Sequence, residues 1–181
     1  RQLVYWLIAT SFEQIFTMAK KYILDQETVS MKLQRMAFEV IENNLEEKNI
    51  ILIGIKDNGS VIARNMAAIL KKSSSLNVQL IDLSLDKKKP AAITISERPD
   101  FNGQVILLVD DVANSGKTML YAIKPFLEFY PKKIQTLALV ERTHKKFPVK
   151  LDYVGLSVAT TLKEHIFVDV LGETVNGAYM E

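Results

Sequence analysis

The chain has 181 residues, 48% of them apolar and 24% charged, with a formal net charge of +2 and no cysteine. That length suits one globular domain with a real core and is short for two. The balance argues against disorder, and the missing cysteines exclude disulfides, thiolate metal ligands and a cysteine nucleophile. So small a net charge decides nothing about nucleic acid, for which a clustered basic face would be needed. A cysteine-free domain fits the cytoplasm, where the chain is expected to work.

The first apolar run, Leu3-Val4-Tyr5-Trp6-Leu7-Ile8-Ala9, is far shorter than the roughly 20 residues that a membrane helix needs. Thr10-Ser11-Phe12-Glu13-Gln14 behind it makes a poor signal-cleavage site, so no membrane partner is expected. Met18-Ala19-Lys20-Lys21-Tyr22-Ile23 reads like a natural start. Residues 1–17 are therefore either an extension outside a domain of residues 18–181 or an extra amphipathic helix packed on it.

From Ser30 helix and strand alternate. Met31, Leu33, Met36, Ala37, Val40, Ile41 and Leu45 recur at helical spacing. Ile50-Ile51-Leu52-Ile53-Gly54-Ile55 is the continuous apolar strand of a parallel sheet covered on both faces. Lys56, Asp57, Asn58 and Gly59 form a tight turn, with Ser60 as the expected cap of a helix through Val61, Ala63, Met66, Ala67 and Leu70. Val78-Gln79-Leu80-Ile81-Asp82-Leu83 is a second strand, followed by an irregular stretch over 84–103 with a short strand at 92–95. Val105-Ile106-Leu107-Leu108-Val109 is the clearest buried strand, and a helix over 118–129 follows it, kinked or split by Pro125. Another strand spans 134–140, and shorter ones fill 151–170. With no internal repeat and no linker, this order predicts an α/β fold: an open, mostly parallel sheet with helices on both faces.

Ligands of such sheets bind beyond the carboxyl ends of the strands. There the chain carries Asp110 and Asp111, then Val112, Ala113, Asn114, Ser115, Gly116, Lys117 and Thr118. The small polar residues can surround a phosphate with backbone N–H groups and hydroxyls at the start of a helix, and Gly116 permits close approach. A nucleoside-triphosphate P-loop would need glycine where Asp111 stands, and a carboxylate there would repel the triphosphate. Paired acids beside a phosphate cradle suit a sugar phosphate instead, the carboxylates accepting hydrogen bonds from two ribose hydroxyls.

Residues 105–118 resemble the phosphoribosyl pyrophosphate (PRPP) motif of type I phosphoribosyltransferases: four apolar residues, two acids, an apolar residue, two variable ones, then Thr-Gly-x-Thr, with Ser115 in place of the first threonine. Residues 31–44 with 50–70, and the segment Val140-Glu141-Arg142-Thr143-His144-Lys145-Lys146-Phe147-Pro148-Val149, are similar to the bifunctional pyrimidine-operon attenuators that are also uracil phosphoribosyltransferases. The resemblance implies the type I fold with a small hood. It implies transfer of phosphoribose from PRPP to a nucleobase, uracil favoured, with Mg²⁺ and pyrophosphate release. Asp110 and Asp111 would hold the ribose. Ala113, Asn114, Ser115, Gly116, Lys117 and Thr118 would hold the 5-phosphate, and Lys56, Asp57, Asn58 and Gly59 the pyrophosphate. Arg142 would lie near the base, as would a strand through Val158, Ala159, Thr160 and Thr161. Mg²⁺ would bind through PRPP and not through direct protein ligands, and the implied assembly is a homo-oligomer, a dimer or tetramer.

Two departures stand out. The family places Thr-Arg-Gly where this chain has Asp57-Asn58-Gly59, exchanging a cation for an amide. The stretch after Ser84 lacks an Arg-Asp-Asp arrangement and offers Asp86, Lys87, Lys88 and Lys89. Those lysines are a solvated loop, a clamp on pyrophosphate or a contact for RNA. Three functions stay open: a uracil-type transferase, a nucleotide-sensing RNA-binding regulator of pyrimidine genes, and a purine phosphoribosyltransferase. His144 and His165 are acid–base candidates by residue type alone.

Overall fold

The uninterrupted apolar runs become the middle of a six-stranded sheet. The computed structural model describes residues 20–86, 92–160 and 164–181. In it, strands β2 (Asn49–Ile55), β3 (Asn77–Leu85), β4 (Ile93–Ile95), β5 (Val105–Ala113), β6 (Lys133–Arg142) and β7 (Tyr153–Val158) lie in the order β4-β3-β2-β5-β6-β7. All neighbours are parallel except β4, which runs antiparallel to β3. Successive side chains of a strand point to opposite faces, so a strand covered on both sides must be apolar throughout. In β5, Val105, Leu107 and Val109 enter one core while Ile106 and Leu108 enter the other.

Helices α1 (Gln26–Glu42) and α2 (Asn58–Ser73) cover the first face, burying Val29, Leu33, Met36 and Val40 with Ile62, Met66 and Leu70. The second face is covered by α3 (Lys117–Ile123) and the 3-10 turn Lys124–Glu128, through Met119 and Phe126. Pro125 splits this helix as expected, because it offers no N–H and its ring crowds the preceding turn. Phe126 and Phe129 then pack edge-on against Phe101, with ring centres 4.9 and 5.2 Å apart.

The connection after β2 leads outward to β3, whereas the chain from β5 leads the other way to β6 and β7. Strand order therefore reverses between β2 and β5. A crevice opens beyond the carboxyl ends at such a reversal, which is where ligands of these sheets bind. The turn of Lys56, Asp57, Asn58 and Gly59 and the Asp110–Asp111 pair flank this point.

A second sheet of three antiparallel strands, in the order β1-β9-β8, forms the hood. It joins β1 (Lys21–Asp25) to β8 (Ile166–Leu171) and β9 (Thr174–Met180). Its inner residues Leu24, Ile166, Val168, Val175 and Ala178 share the core of α1 and α2.

Several expectations need correction. Helix α1 starts at Gln26 and not at Ser30, because Asp25 caps it by accepting from the Thr28 N–H at 2.8 Å. Met31 and Leu45 are 56% and 75% exposed: Met31 points away from the buried stripe, and Leu45 lies beyond the cap at Asn43. Ser60 does not cap α2, which already begins at Asn58; its hydroxyl donates to Asp82 Oδ1 at 2.6 Å. The strand expected through Val158, Ala159, Thr160 and Thr161 ends at Val158. Residues 1–17, the lysines Lys87, Lys88 and Lys89, and Thr161 lie outside the described residues.

Gly155 on β7 meets β6 so closely that an added Cβ would stand 2.4 Å from the Leu139 carbonyl oxygen. Gly155→Ala should therefore destabilise the fold by about 1–3 kcal/mol, since backbone must give way. Urea unfolding checks this, and an unchanged midpoint would contradict the close packing of the two strands.

Candidate functional site

Strand β5 carries two carboxylates into the crevice. Asp110 is 1% exposed and Asp111 8%. Buried charge needs hydrogen-bond donors around it, and the chain supplies them locally. The Asp111 N–H donates to Asp110 Oδ1 at 3.0 Å, and the Val112 N–H donates to Asp111 Oδ1 at 2.9 Å. The Asn58 amide nitrogen reaches across from α2 and donates to Asp111 Oδ2 and to the Val168 carbonyl oxygen, each at 3.0 Å. One side chain thus ties the start of α2 to the acid pair and to the hood strand β8. The approach depends on Gly59, where a Cβ would lie 2.7 Å from the Val109 carbonyl oxygen and 3.0 Å from Asp110 Cα. The Lys56–Asp57 peptide bond just before is cis.

Beyond β5 the chain bends through Asn114 and Ser115 to Gly116, whose φ of +80° favours glycine. This loop is braced from behind. The Lys146 and Phe147 N–H groups both donate to the Ser115 carbonyl oxygen at 3.0 Å. Arg142 donates through Nη1 to Asn114 Oδ1 at 3.0 Å. The helix after the loop is seven residues long, shorter than the sequence suggested. A phosphate here would therefore rely more on loop N–H groups and on the Ser115 and Thr118 hydroxyls than on a helix dipole.

Three cavities meet at this point. One of about 370 Å³ lies between the acid pair with residues 113–118 on one side and Ile166, Phe167 and Val168 of the hood on the other. A second, about 740 Å³, shares Asn114, Ser115 and Lys117 with it and is lined further by Arg142, His144, Lys145, Lys146 and His165. A third, about 270 Å³, is bounded by Lys56, Asp57, Asn58, Leu85 and Asp111. The structure thus gathers Asp110, Asp111, Asn58 and residues 113–118 around one space. Arg142 and both histidines line the second cavity instead, and the histidines are exposed. Asp57 and Asp111 are hard oxygen donors at the edge of the third, a donor set that fits Mg²⁺ arriving on the oxygens of a diphosphate. Among the described residues no cluster of three or more His, Cys, Asp or Glu forms a metal cage.

The sequence reading missed Glu141, which pairs in register with Ala113 at the end of β6. Burial pushes its carboxyl upward, but the Lys145 ammonium and the Ser157 hydroxyl, at 2.7 Å, together hold it below the ordinary carboxylate range. The signal was slight: an acid and a lysine four apart in a segment with no helical pattern. Val168 was missed too, because its contribution is a backbone carbonyl, to which sequence is blind.

A family model described as phosphoribosyl transferase domain matches residues 20–171. The chain belongs to the phosphoribosyltransferase family. Curated relatives of this phosphoribosyltransferase-family chain include the bifunctional protein PyrR of Clostridium acetobutylicum, 34% identical over 163 residues that cover 84% of this chain and 92% of the relative. The bifunctional protein PyrR of Enterococcus faecalis is 32% identical over 162 residues, covering 84% and 91%. The pyrimidine operon regulatory protein of Lactococcus lactis is 32% identical over 158 residues, covering 84% and 91%. Among solved structures, a hypoxanthine-guanine phosphoribosyltransferase of Bacillus anthracis superposes with a TM-score of 0.66 at 20% identity, over 81% of this chain and 85% of that one. A Trypanosoma cruzi hypoxanthine phosphoribosyltransferase gives 0.72 at 14% identity, over 80% and 74%. At such identities the likeness is one of fold, and the type I fold expected from the sequence is the one observed.

Because its folded pKa is depressed, Glu141 stabilises the protein above the ordinary carboxylate range, and that contribution is lost as pH falls through the folded value. Removing the Ser157 hydroxyl should move the Glu141 titration upward, towards neutral pH. Carboxyl-selective NMR titration of Ser157→Ala reads this; an unmoved midpoint would contradict the hydrogen bond.

Proposed function

We propose that the chain transfers phosphoribose between PRPP and a nucleobase, uracil being favoured, with pyrophosphate as the other product. The observation that carries this reading is the cavity of about 370 Å³ in which two adjacent buried carboxylates face a glycine-turned loop beneath a hood. In this reading the 2- and 3-hydroxyls of ribose donate to Asp110 and Asp111, and residues 113–118 enclose the 5-phosphate. Pyrophosphate lies towards Lys56, Asp57, Asn58 and Gly59, and the base lies under β8. The bond from C1 of ribose to pyrophosphate oxygen breaks with its electron pair leaving on pyrophosphate. A ring nitrogen of the base bonds to C1, and its proton passes to solvent or to the departing pyrophosphate. Positive charge develops on the sugar as the bond lengthens, and the fixed carboxylates stabilise it without reorganising. Mg²⁺, held on diphosphate oxygens with Asp111 and Asp57 at hand, would neutralise charge on the leaving group. Uracil is supported by the pyrimidine operon regulatory protein among the relatives.

A second reading, a nucleotide-sensing regulator that binds RNA, is favoured by the basic cavity lined by Arg142, His144, Lys145, Lys146 and His165. Phosphate backbones bind such clusters. The cytoplasm remains the proposed location. No described helix is long and apolar enough to cross a membrane.

Pyrophosphate release from PRPP and Mg²⁺ should be seen with uracil in a panel that also holds hypoxanthine, guanine, adenine and orotate. Turnover with a purine alone would move the substrate, and silence across the panel would favour the regulator. The double variant Asp110→Asn, Asp111→Asn should bind PRPP at least ~100-fold more weakly while keeping its fold, as expected when charged acceptors for two hydroxyls are lost. Equal affinity by calorimetry would overturn the assignment of the acid pair.

A further inference from the structure

Apolar side chains scattered singly over a surface need no explanation, whereas a row of them does. Helix α1 carries such a row. Met31 and Phe38 are 56% and 57% exposed, and Leu45, in the turn after the helix, is 75% exposed. Met31 and Phe38 are two helical turns apart, so they stand nearly in line, about 10 Å from each other along the axis. Their face lies opposite the stripe of Val29, Leu33, Met36 and Val40 that α1 buries in the core. None of the three lines a cavity of the crevice, so the phosphoribosyl reading leaves this row unexplained.

The charges beside the row are ordered. At about 100° of turn per residue, Lys32, Arg35, Glu39 and Glu42 all fall on one side of the line from Met31 to Phe38. Gln34 and the half-buried Ile41 fall on the other. The two cations come before Phe38 and the two carboxylates after it, with Glu46 adding a third in the turn that follows. Glu27 lies outside the row, one turn before Met31. A second helix laid parallel would set carboxylate against carboxylate. A two-fold axis perpendicular to α1 at Phe38 instead reverses the chain direction and keeps the charged side on the charged side. Phe38 then meets Phe38, Met31 meets Leu45, and Lys32 and Arg35 stand opposite Glu42 and Glu39 of the second copy. Apolar row and charge order are both self-complementary under this one operation, which is what an interface between identical subunits requires.

We infer that the outer face of α1 joins two copies of this chain, paired antiparallel about a two-fold axis at Phe38. The inference is independent of which base the crevice takes, and it fixes a face, a symmetry axis and a register. Arg35 is partly committed to its own subunit, since it pairs with Glu39 and donates to the Val154 and Gly155 carbonyl oxygens. Lys32 and Glu42 are therefore the charges to exchange.

Sedimentation of the full chain at micromolar concentration tests the inference. The unaltered chain should form a dimer or an even multiple of it, and Phe38→Glu, an exposed change, should halve that mass with an unchanged circular dichroism spectrum. Lys32→Glu and Glu42→Lys should each weaken the association at least ~10-fold, because each sets like charges together twice across the axis. An equimolar mixture of these two variants should associate again, since every reversed charge then meets its opposite. The mixture also keeps the test open if the Phe38 variant fails to fold. A monomeric unaltered chain would overturn the inference and leave residues 1–17 or a different protein as the cover of the row. An assembly that Phe38→Glu does not halve would overturn it by placing the interface elsewhere. Two weakened variants that do not recover on mixing would overturn the antiparallel register.

Discussion

The site depends on one constraint: β5 is buried along nearly its whole length, yet it ends in two carboxylates whose oxygens need hydrogen-bond donors. A buried carboxylate without donors would neutralise itself or unfold its surroundings. Asp110 and Asp111 are met by the N–H groups that follow them in the chain, and Asp111 also by the Asn58 amide. Supplying that amide brings α2 to the strand end, and this approach is open only to a residue without a side chain, hence Gly59. The same amide reaches the Val168 carbonyl, so the hood is positioned by the group that satisfies the acid. Strand, helix and hood meet at the one amide that bonds both Asp111 and Val168.

The loop after β5 obeys a separate constraint. Gly116 takes a left-handed conformation, and the Ser115 carbonyl oxygen accepts two backbone donors from the segment after β6. That segment carries His144, Lys145 and Lys146, so the loop and the basic cavity share a hydrogen-bonded backbone.

The central strands, their parallel order and the acid pair with its loop were legible in the sequence because they rest on local patterns. Val105 to Val109 could only be a doubly covered strand, and Pro125 could only interrupt a helix. The hood was less legible. β1 pairs with β9 at the other end of the chain, and β9 carries Thr174, Asn176 and Gly177 among its apolar residues, so neither strand shows a strong period of its own. Met31 was misread because helical spacing accepts any apolar residue near the right phase, while only packing against α2 and the sheet decides which of them is buried. The exchange at Asn58 was visible as a substitution of residue type. Its consequence was not, since that consists of one bond to an acid 53 residues away and another to a backbone carbonyl 110 residues away.

The central claim is that the acid pair and the loop bind the two ends of one ribose phosphate. The most direct measurement is a crystal structure of the chain soaked with ribose 5-phosphate, a ligand with neither base nor pyrophosphate. The account predicts phosphate oxygens within hydrogen-bond distance of the N–H groups of residues 114–118 and the 2- and 3-hydroxyls on Asp110 and Asp111. A phosphate seated among His144, Lys145 and Lys146 with the sugar away from the acid pair would contradict it.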